Sequence, residues 1–254
     1  MAEQQQQQEQ QQKQKPKIKA VFFDFMGTCL DWHSSVVDAF PPSVPRDEAS
    51  RLALDWRQRY FDENSERVRR GLDVEDIDVT LARTLDALLA HEASSSVSAR
   101  VVDEAARKTM VQAWHSQRAW PEVKEAIRAL REDLSLEVFV HANGTTRLQL
   151  DLARSSGLSF DLLMSSQLLG AYKPRPEAYG KGMELVGLGR ARAGEVALVA
   201  AHAYDLRGAA ACGMRTVYVR RWTDDVREDM GVVRGEVDVF LDDMRGLPAA
   251  IAGL

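Results

Sequence analysis

The sequence predicts an α/β protein: a doubly wound parallel sheet with a helical cap inserted after the first strand. Three observations carry this. From Pro121 onward, short apolar and β-branched runs alternate with helical periods, which is the pattern of a parallel sheet with crossover helices. Between Asp47 and about Trp114 only helical periods occur, so that stretch is an all-helical insert. The first strand-like run, "KAVFF", lies before the insert. A chain of 254 residues, 45% of them hydrophobic, is long enough for one full α/β domain and a smaller second one.

The elements follow in order. The opening "MAEQQQQQEQQQKQKPK" has no apolar residue after Ala2 to bury, so residues 1–16 are expected to form a disordered, glutamine-rich tail. The core is expected over 17–32 and 118–254, and the cap over 33–117. "KAVFFDF" is the first strand. In the cap, "EASRLALDWRQRYFDENSERVRR" places Leu52, Trp56, Tyr60 and Phe61 close to helical spacing, and "VEDIDVTLARTLDALLAHEA" and "SARVVDEAARKTMVQAWHS" behave alike. Then come a helix in "PEVKEAIRALRED", the strand "LEVFVHA", a helix in "TTRLQLDLARSSG", a short strand near "FDLLMS", a helix in "PEAYGKGMELVGL", the strand "EVALVAA", a helix in "YDLRGAAACG" and the strand "RTVYVRR".

Composition excludes several function classes. A net charge of −5 with dispersed Lys and Arg argues against a nucleic-acid partner. No run approaches the roughly 18 apolar residues that span a bilayer, and no signal peptide is legible, so no membrane partner and a soluble, cytoplasmic protein are expected. Cys29 and Cys212 lack metal-ligand spacing and read as small apolar side chains in a reducing compartment. An apolar face on cap or core would suit a homodimer.

Chemistry is expected beyond the carboxyl ends of the strands, where open α/β sheets bind ligands. The first strand ends on Asp24, followed by Gly27 and Thr28. After "LEVFVHA" comes Asn143-Gly144-Thr145, a turn into a helix start that offers N–H groups and an amide to an anion. Lys173-Pro174 precedes another helix, and His202 and Asp205 open the helix after "EVALVAA". Two acids and a cation thereby converge. Lys173 would hold Asp24 ionised, since a cation within ~4–6 Å favours the charged form. Thr28 is placed either to hydrogen-bond Asp24 or to cap a turn.

The segments "FFDFMGT", "HANGTTRLQLDLARSSGL", "YKPRPEAY" and "LVAAHAYDLRGAAACGM" resemble the four ordered motifs of the haloacid dehalogenase superfamily. Within it they are most similar to the L-2-haloacid dehalogenase (type II) branch, over about residues 17 to 245 and including the cap stretch "DWRQRYF". The resemblance implies a Rossmann-like core and a hydrolase acting on a small anionic substrate. Asp24 would be the nucleophile, displacing halide or another leaving group to give an aspartyl ester that water hydrolyses. Lys173 and Asp205 would pair, Asp205 helping to place or activate the water. Arg57, with the adjacent amide Gln58, would reach from the cap to the substrate, where a guanidinium suits a carboxylate or a departing halide. Tyr179 matches a tyrosine near the substrate, and Met26, Phe61, Asn143 and His202 would complete the substrate's surroundings. For Arg57 a helix-surface position, and for Tyr179 a core aromatic, are the alternatives.

The phosphatases of the superfamily carry a second Asp two residues after the nucleophile and a metal-binding Asp four residues before Asp205. Met26 and Ala201 stand there, so neither a metal nor another cofactor is expected. The sequence also departs from the dehalogenases: Ala142 and Ala200 replace serines and His202 replaces an asparagine. His202 is open between a general base and a satisfied core histidine, whereas for His141 the structural reading is preferred. A phosphatase with unusual metal ligation, another diverged hydrolase, and a non-catalytic binding protein are the remaining readings. Magnesium-dependent phosphate release would mark the first, and indifference to Asp24→Asn the last.

Overall fold

β1 (Ala20–Phe23) reads as an unbroken apolar run because both of its faces are covered. Val21 and Phe23 point into one hydrophobic layer, Ala20 and Phe22 into the other, and all four are fully buried. The computed structural model of the protein describes residues 17–72, 75–92 and 97–254; the tail expected over 1–16 lies outside the described residues. After β1 come β2 (Leu30–Asp31) and the helices α1 (Trp32–Asp38), α2 (Arg46–Arg69), α3 (Ile77–His91), α4 (Ser98–Val101) and α5 (Glu104–Ala113), then β3 (Arg118–Ala119). The chain continues through α6 (Val123–Glu132), β4 (Glu137–Ala142), α7 (Thr146–Ser156), β5 (Leu162–Ser165), α8 (Ser166–Leu169), α9 (Pro176–Leu185), β6 (Val196–Ala200), α10 (Ala203–Ala211), β7 (Arg215–Val219), α11 (Met230–Glu236), β8 (Val239–Leu241) and α12 (Leu247–Gly253).

The main sheet has the order β5-β4-β1-β6-β7-β8, and all its pairings are parallel. β1 is the pivot: the chain runs outward through β4 and β5, then crosses back to β6 on the other side. Right-handed crossovers in opposite directions put α7 and α10 on opposite faces. Leu148 and Leu152 of α7 accordingly join the layer of Val21 and Phe23, and Leu206 and Ala209 of α10 join that of Phe22. The strand order reverses at β1, which opens a crevice beyond its carboxyl end. Asp24 stands there.

β2 and β3 form a two-residue antiparallel pair where the chain leaves the sheet layer for the cap and returns to it. Neither this pair nor β8 was expected. A two-residue ladder has no period to read, and β8 is a three-residue edge strand whose side chains are all only partly buried.

α2 is the long element of the cap, 24 residues and about 36 Å. Asp47 and Glu48 in its first turn and Arg67 and Arg69 in its last oppose the helix dipole. Leu52, Trp56 and Tyr60, at successive i+4 steps, form its buried stripe. The Trp56 indole donates to the Leu81 carbonyl of α3 at 3.0 Å and meets the Trp114 ring edge-on, while Trp114 stacks on Trp32 at 5.3 Å. No helix among the described residues is long and apolar enough to cross a membrane.

Candidate active site

Asp24 continues the β1 ladder by one bond, its N–H donating to the Val199 carbonyl of β6 at 3.0 Å, and its carboxylate then projects into the crevice. It is 6% exposed. The chain turns at once through Gly27, whose φ of +86° favours glycine. That turn brings Thr28 back under Asp24: its Oγ1 donates to Asp24 Oδ2 at 2.7 Å and accepts from the Ala201 N–H at 2.9 Å. Thr28 thus ties the end of β1 to the end of β6.

Lys173 is fully enclosed, and its Nζ donates to Asp24 Oδ1 at 3.0 Å, to the His141 carbonyl at 2.8 Å and to Asp205 Oδ2. All three ammonium hydrogens therefore have acceptors. Asn143 clamps the Lys173 backbone from both sides, its Oδ1 accepting from the Lys173 N–H at 2.8 Å and its Nδ2 donating to the Lys173 carbonyl at 3.1 Å. Asn143 also lines the cavity, so the amide that places the lysine stands on the wall where it was expected to meet substrate. Asp205, in the first turn of α10, is completely buried; beyond Lys173, its Oδ1 accepts from the Tyr179 hydroxyl at 2.7 Å.

Tyr179 is a correction. It was expected beside the substrate, yet it is fully buried on α9 beneath Asp205 and does not reach the cavity. Its hydroxyl fits there because residue 208 is a glycine, where a Cβ would lie 2.5 Å from the Tyr179 oxygen. The tyrosines on the cavity wall are Tyr60, Tyr172 and Tyr204.

His202 is the N-cap residue of α10 and 3% exposed. Its Nδ1 lies 3.0 Å from Asp24 Oδ2 and its Nε2 3.1 Å from Asp224 Oδ1. Ionised carboxylates only accept, so both ring nitrogens must carry hydrogen and the ring is an imidazolium. Asp224 comes from the segment after β7. Its Oδ2 accepts from Trp32 Nε1 at 3.1 Å and from Thr223 Oγ1 at 2.7 Å, and Arg57 Nη2 stands 3.8 Å from its Oδ1. Asp224 was not expected. The strand "RTVYVRR" is followed by "WTDD", and asking of that strand end what was asked of the others points to it.

Arg57 is buried, not a surface arginine. Its guanidinium lies 4.4 Å from the Phe61 ring centre and 5.4 Å from those of Trp32 and Trp114, with Nη1 3.0 Å from Met26 Sδ. Its Nε is enclosed and has no hydrogen-bond partner among the described residues. Cations placed this way gain from the ring quadrupoles. Gln58 turns along α2, its amide donating to Asp62 Oδ1 at 2.8 Å at the cavity's rim. The cavity itself, about 470 Å³, is lined by Asp24, Met26, Arg57, Phe61, Ala142, Lys173 and His202 at its polar end and by Leu54, Val68, Ile77 and Val226 farther out.

Burial by itself would raise the Asp24 pKa, but the Lys173 ammonium and the His202 imidazolium reverse this and hold the carboxyl well below the usual carboxylate range. Burial would lower His202, yet Asp24 and Asp224 push it up to about 10. Asp224 is held low against burial by its hydrogen bond from His202 and the imidazolium charge. His141 is the opposite case. Burial and the nearby Lys173 charge take it down to about 3, and its Nε2 donates to the Ala178 carbonyl at 3.1 Å, so it is a neutral structural histidine. Among the described residues no group of three His, Cys, Asp or Glu side chains is placed to hold a metal ion. The two carboxylate oxygens of Asp24 face an ammonium, a hydroxyl and an imidazolium.

A family model described as haloacid dehalogenase-like hydrolase matches residues 18–213, more than half of the chain. Haloacetate dehalogenase H-2 of Moraxella sp. (strain B) is 29% identical over 211 residues, covering 81% of this chain and 87% of that protein. Two solved structures superpose over nearly all of it. An L-2-haloacid dehalogenase does so at 29% identity and a TM-score of 0.73, over 93% of this chain and 100% of that one. A defluorinating L-2-haloacid dehalogenase does so at 28% identity and 0.76, over 92% and 95%.

Proposed function

The chain belongs to the haloacid dehalogenase-like hydrolase family, and from that premise we propose that it hydrolyses small 2-halocarboxylates through a covalent aspartyl ester, without a metal ion. The observation that carries this reading is the state of Asp24: a buried, ionised carboxylate on the floor of the cavity, its Oδ1 held by Lys173, with the Arg57 guanidinium on the cavity wall.

Asp24 Oδ1 attacks the halogen-bearing carbon. The new C–O bond forms as the C–X bond breaks, and the halide leaves with the bonding pair. Lys173 keeps the nucleophile charged and aimed. Arg57 offers the positive field of its guanidinium to the substrate carboxylate or the departing halide. Water then opens the ester at the Asp24 carboxyl carbon, releasing the hydroxy acid. Asp205, with one oxygen on Lys173 and the other on Tyr179, serves chiefly to orient the lysine. Met26 puts a thioether where a second acid would protonate a phosphate leaving group, and Ala201 puts a methyl where an acid would hold magnesium.

Mass spectrometry after brief exposure to a panel of 2-halocarboxylates tests this. The expected result is an adduct on the peptide containing Asp24, equal in mass to the substrate less its halogen, with free halide appearing in step. Asp24→Asn should lose at least about 10⁴-fold in halide release, and a chelator should change nothing. Absence of any adduct and any halide, or magnesium-dependent phosphate release from a model ester, would overturn the proposal.

A further inference from the structure

We infer that His202 is a catalytic residue of the ester-hydrolysis step, a charged donor to the carbonyl oxygen of the aspartyl ester, and that Asp224 is the positioning residue that keeps it so. The inference rests on the haloacid reading of Asp24 given above. Its starting point is that the two oxygens of Asp24 are treated differently. Oδ1 receives one donor, Lys173, whereas Oδ2 receives two, Thr28 at 2.7 Å and His202 at 3.0 Å. An oxygen already accepting two hydrogen bonds is the poorer nucleophile. Oδ1 is then the oxygen alkylated, and Oδ2 remains as the ester carbonyl.

The second step supplies a use for both donors. Water adds to the Asp24 carboxyl carbon, giving up one proton to solvent water in the open cavity, and the C=O pair moves onto Oδ2. The tetrahedral intermediate carries its negative charge on the oxygen that Thr28 and His202 face. Collapse restores the C=O bond and breaks the bond to the substrate oxygen, which takes the proton of the intermediate's hydroxyl. The hydroxy acid leaves and Asp24 is again a carboxylate. Preorganised donors stabilise a developing oxyanion without having to reorganise, and His202, 3% exposed, is held through both ring nitrogens.

Asp224 answers the difficulty this raises. Alkylation removes the charge of Asp24, so an imidazolium with no other anion would lose much of the reason for its charge. Asp224, on the opposite ring nitrogen at 3.1 Å, remains. It is itself held by Trp32, Thr223 and the nearby Arg57, and Gly27 makes room for it: a Cβ at residue 27 would sit 2.7 Å from both carboxylate oxygens. The other groups facing His202 are the Phe61 and Tyr204 rings at 5.3 and 5.9 Å, Lys173 across Asp24, and Asp225, whose carboxylate accepts from the Ala203 N–H. Burial opposes the charge on His202, and the two carboxylates outweigh it.

A general base at this position would need its Nδ1 proton removed, so its rate would rise with pH. A charged donor requires the opposite. The test is single-turnover kinetics with 2-chloropropionate, following chloride release and the ester mass at Asp24 separately from pH 5 to 10. In His202→Phe, first-turnover chloride release should stay within about tenfold of wild type while ester hydrolysis slows by about 10²–10³-fold, so the ester accumulates. His202→Gln, a neutral donor, should recover part of that loss. In Asp224→Asn, the alkaline fall of the hydrolysis rate should move down by at least about one pH unit. If His202→Phe does not fold, the Asp224→Asn profile decides alone. Hydrolysis that climbs with pH, an Asp224→Asn profile superposable on wild type, or ester clearance at the wild-type rate in a folded His202→Phe would overturn the inference. Wild-type protein that releases no chloride overturns the haloacid reading beneath it, a distinguishable outcome.

Discussion

The Tyr179 hydroxyl reaches Asp205 only because residue 208 has no side chain. Gly208→Ala would press a Cβ to 2.5 Å from the Tyr179 oxygen and 3.0 Å from two of its ring carbons, closer than such contacts allow. The expected cost is about 1–3 kcal/mol in urea denaturation, as for overpacked cores. Halide release should fall with it, because Tyr179 braces the carboxylate that braces Lys173. At this scale the sequence was informative wherever a predicted strand ended. Asp24, Lys173, His202 and Asp205 were legible because a parallel sheet brings its carboxyl ends to one crevice. Side-chain direction was not. Tyr179 was placed with the substrate by resemblance, since spacing along α9 left a core position open, and Asp224 was overlooked although it lies 22 residues beyond His202 at another strand end.

α2 is the element on which the cap's contribution depends, and its two functions sit on adjacent residues. Trp56 anchors the helix, with its indole N–H on the Leu81 carbonyl and Thr84 Oγ1 and its ring against Trp114. Arg57, one residue on, points the other way into the cavity. Trp56→Ala should destabilise by about 3–5 kcal/mol in chemical denaturation. It should also raise KM, since Arg57 loses the platform that sets its height over Asp24. The cap helices were legible from their 3.6-residue period, as was the identity of the anchor positions Leu52, Trp56 and Tyr60. The β2–β3 pair was not, because two residues carry no periodicity, and the aromatic surroundings of Arg57 combine Trp32, Phe61 and Trp114 from three separate segments.

Across the whole molecule, charge ties cap to core. His115 sits between Asp78 of α3 and Asp151 of α7 at 2.9 and 3.0 Å, and Asp62 of α2 pairs with Arg227. The last pair is exposed on both sides and contributes about 0–1 kcal/mol. The histidines matter more for pH. His202 is raised to about 10, against burial, by Asp24 and Asp224, and His115 is raised by its bond to Asp78 and then to Asp151. A group whose folded pKa is raised stabilises fully below its unfolded value, about 6.5 for histidine, and loses that contribution as pH rises through its folded value. Melting temperature should therefore decline between about pH 6.5 and 10. His202→Gln should flatten the upper part of that decline, read by calorimetry across the range. Asp24 and Asp224 act at the other end, their contributions being lost as pH falls below the ordinary carboxylate value. The parallel, doubly wound sheet followed from the alternation of strands and helices, though its strand order did not. The cap-to-core ion pairs did not, since partners such as Asp62 and Arg227 stand 165 residues apart and exposed charges leave no periodic trace.

The bare turn at Gly27 makes two distant stretches of the gene interdependent. A methyl group at position 27 would meet the Asp224 carboxylate at 2.7 Å and would also load a backbone held at a φ of +86°. Glycine is therefore required at position 27 twice over, once by the backbone and once by the distant carboxylate, and shortening the side chain at 224 would lift only the second demand.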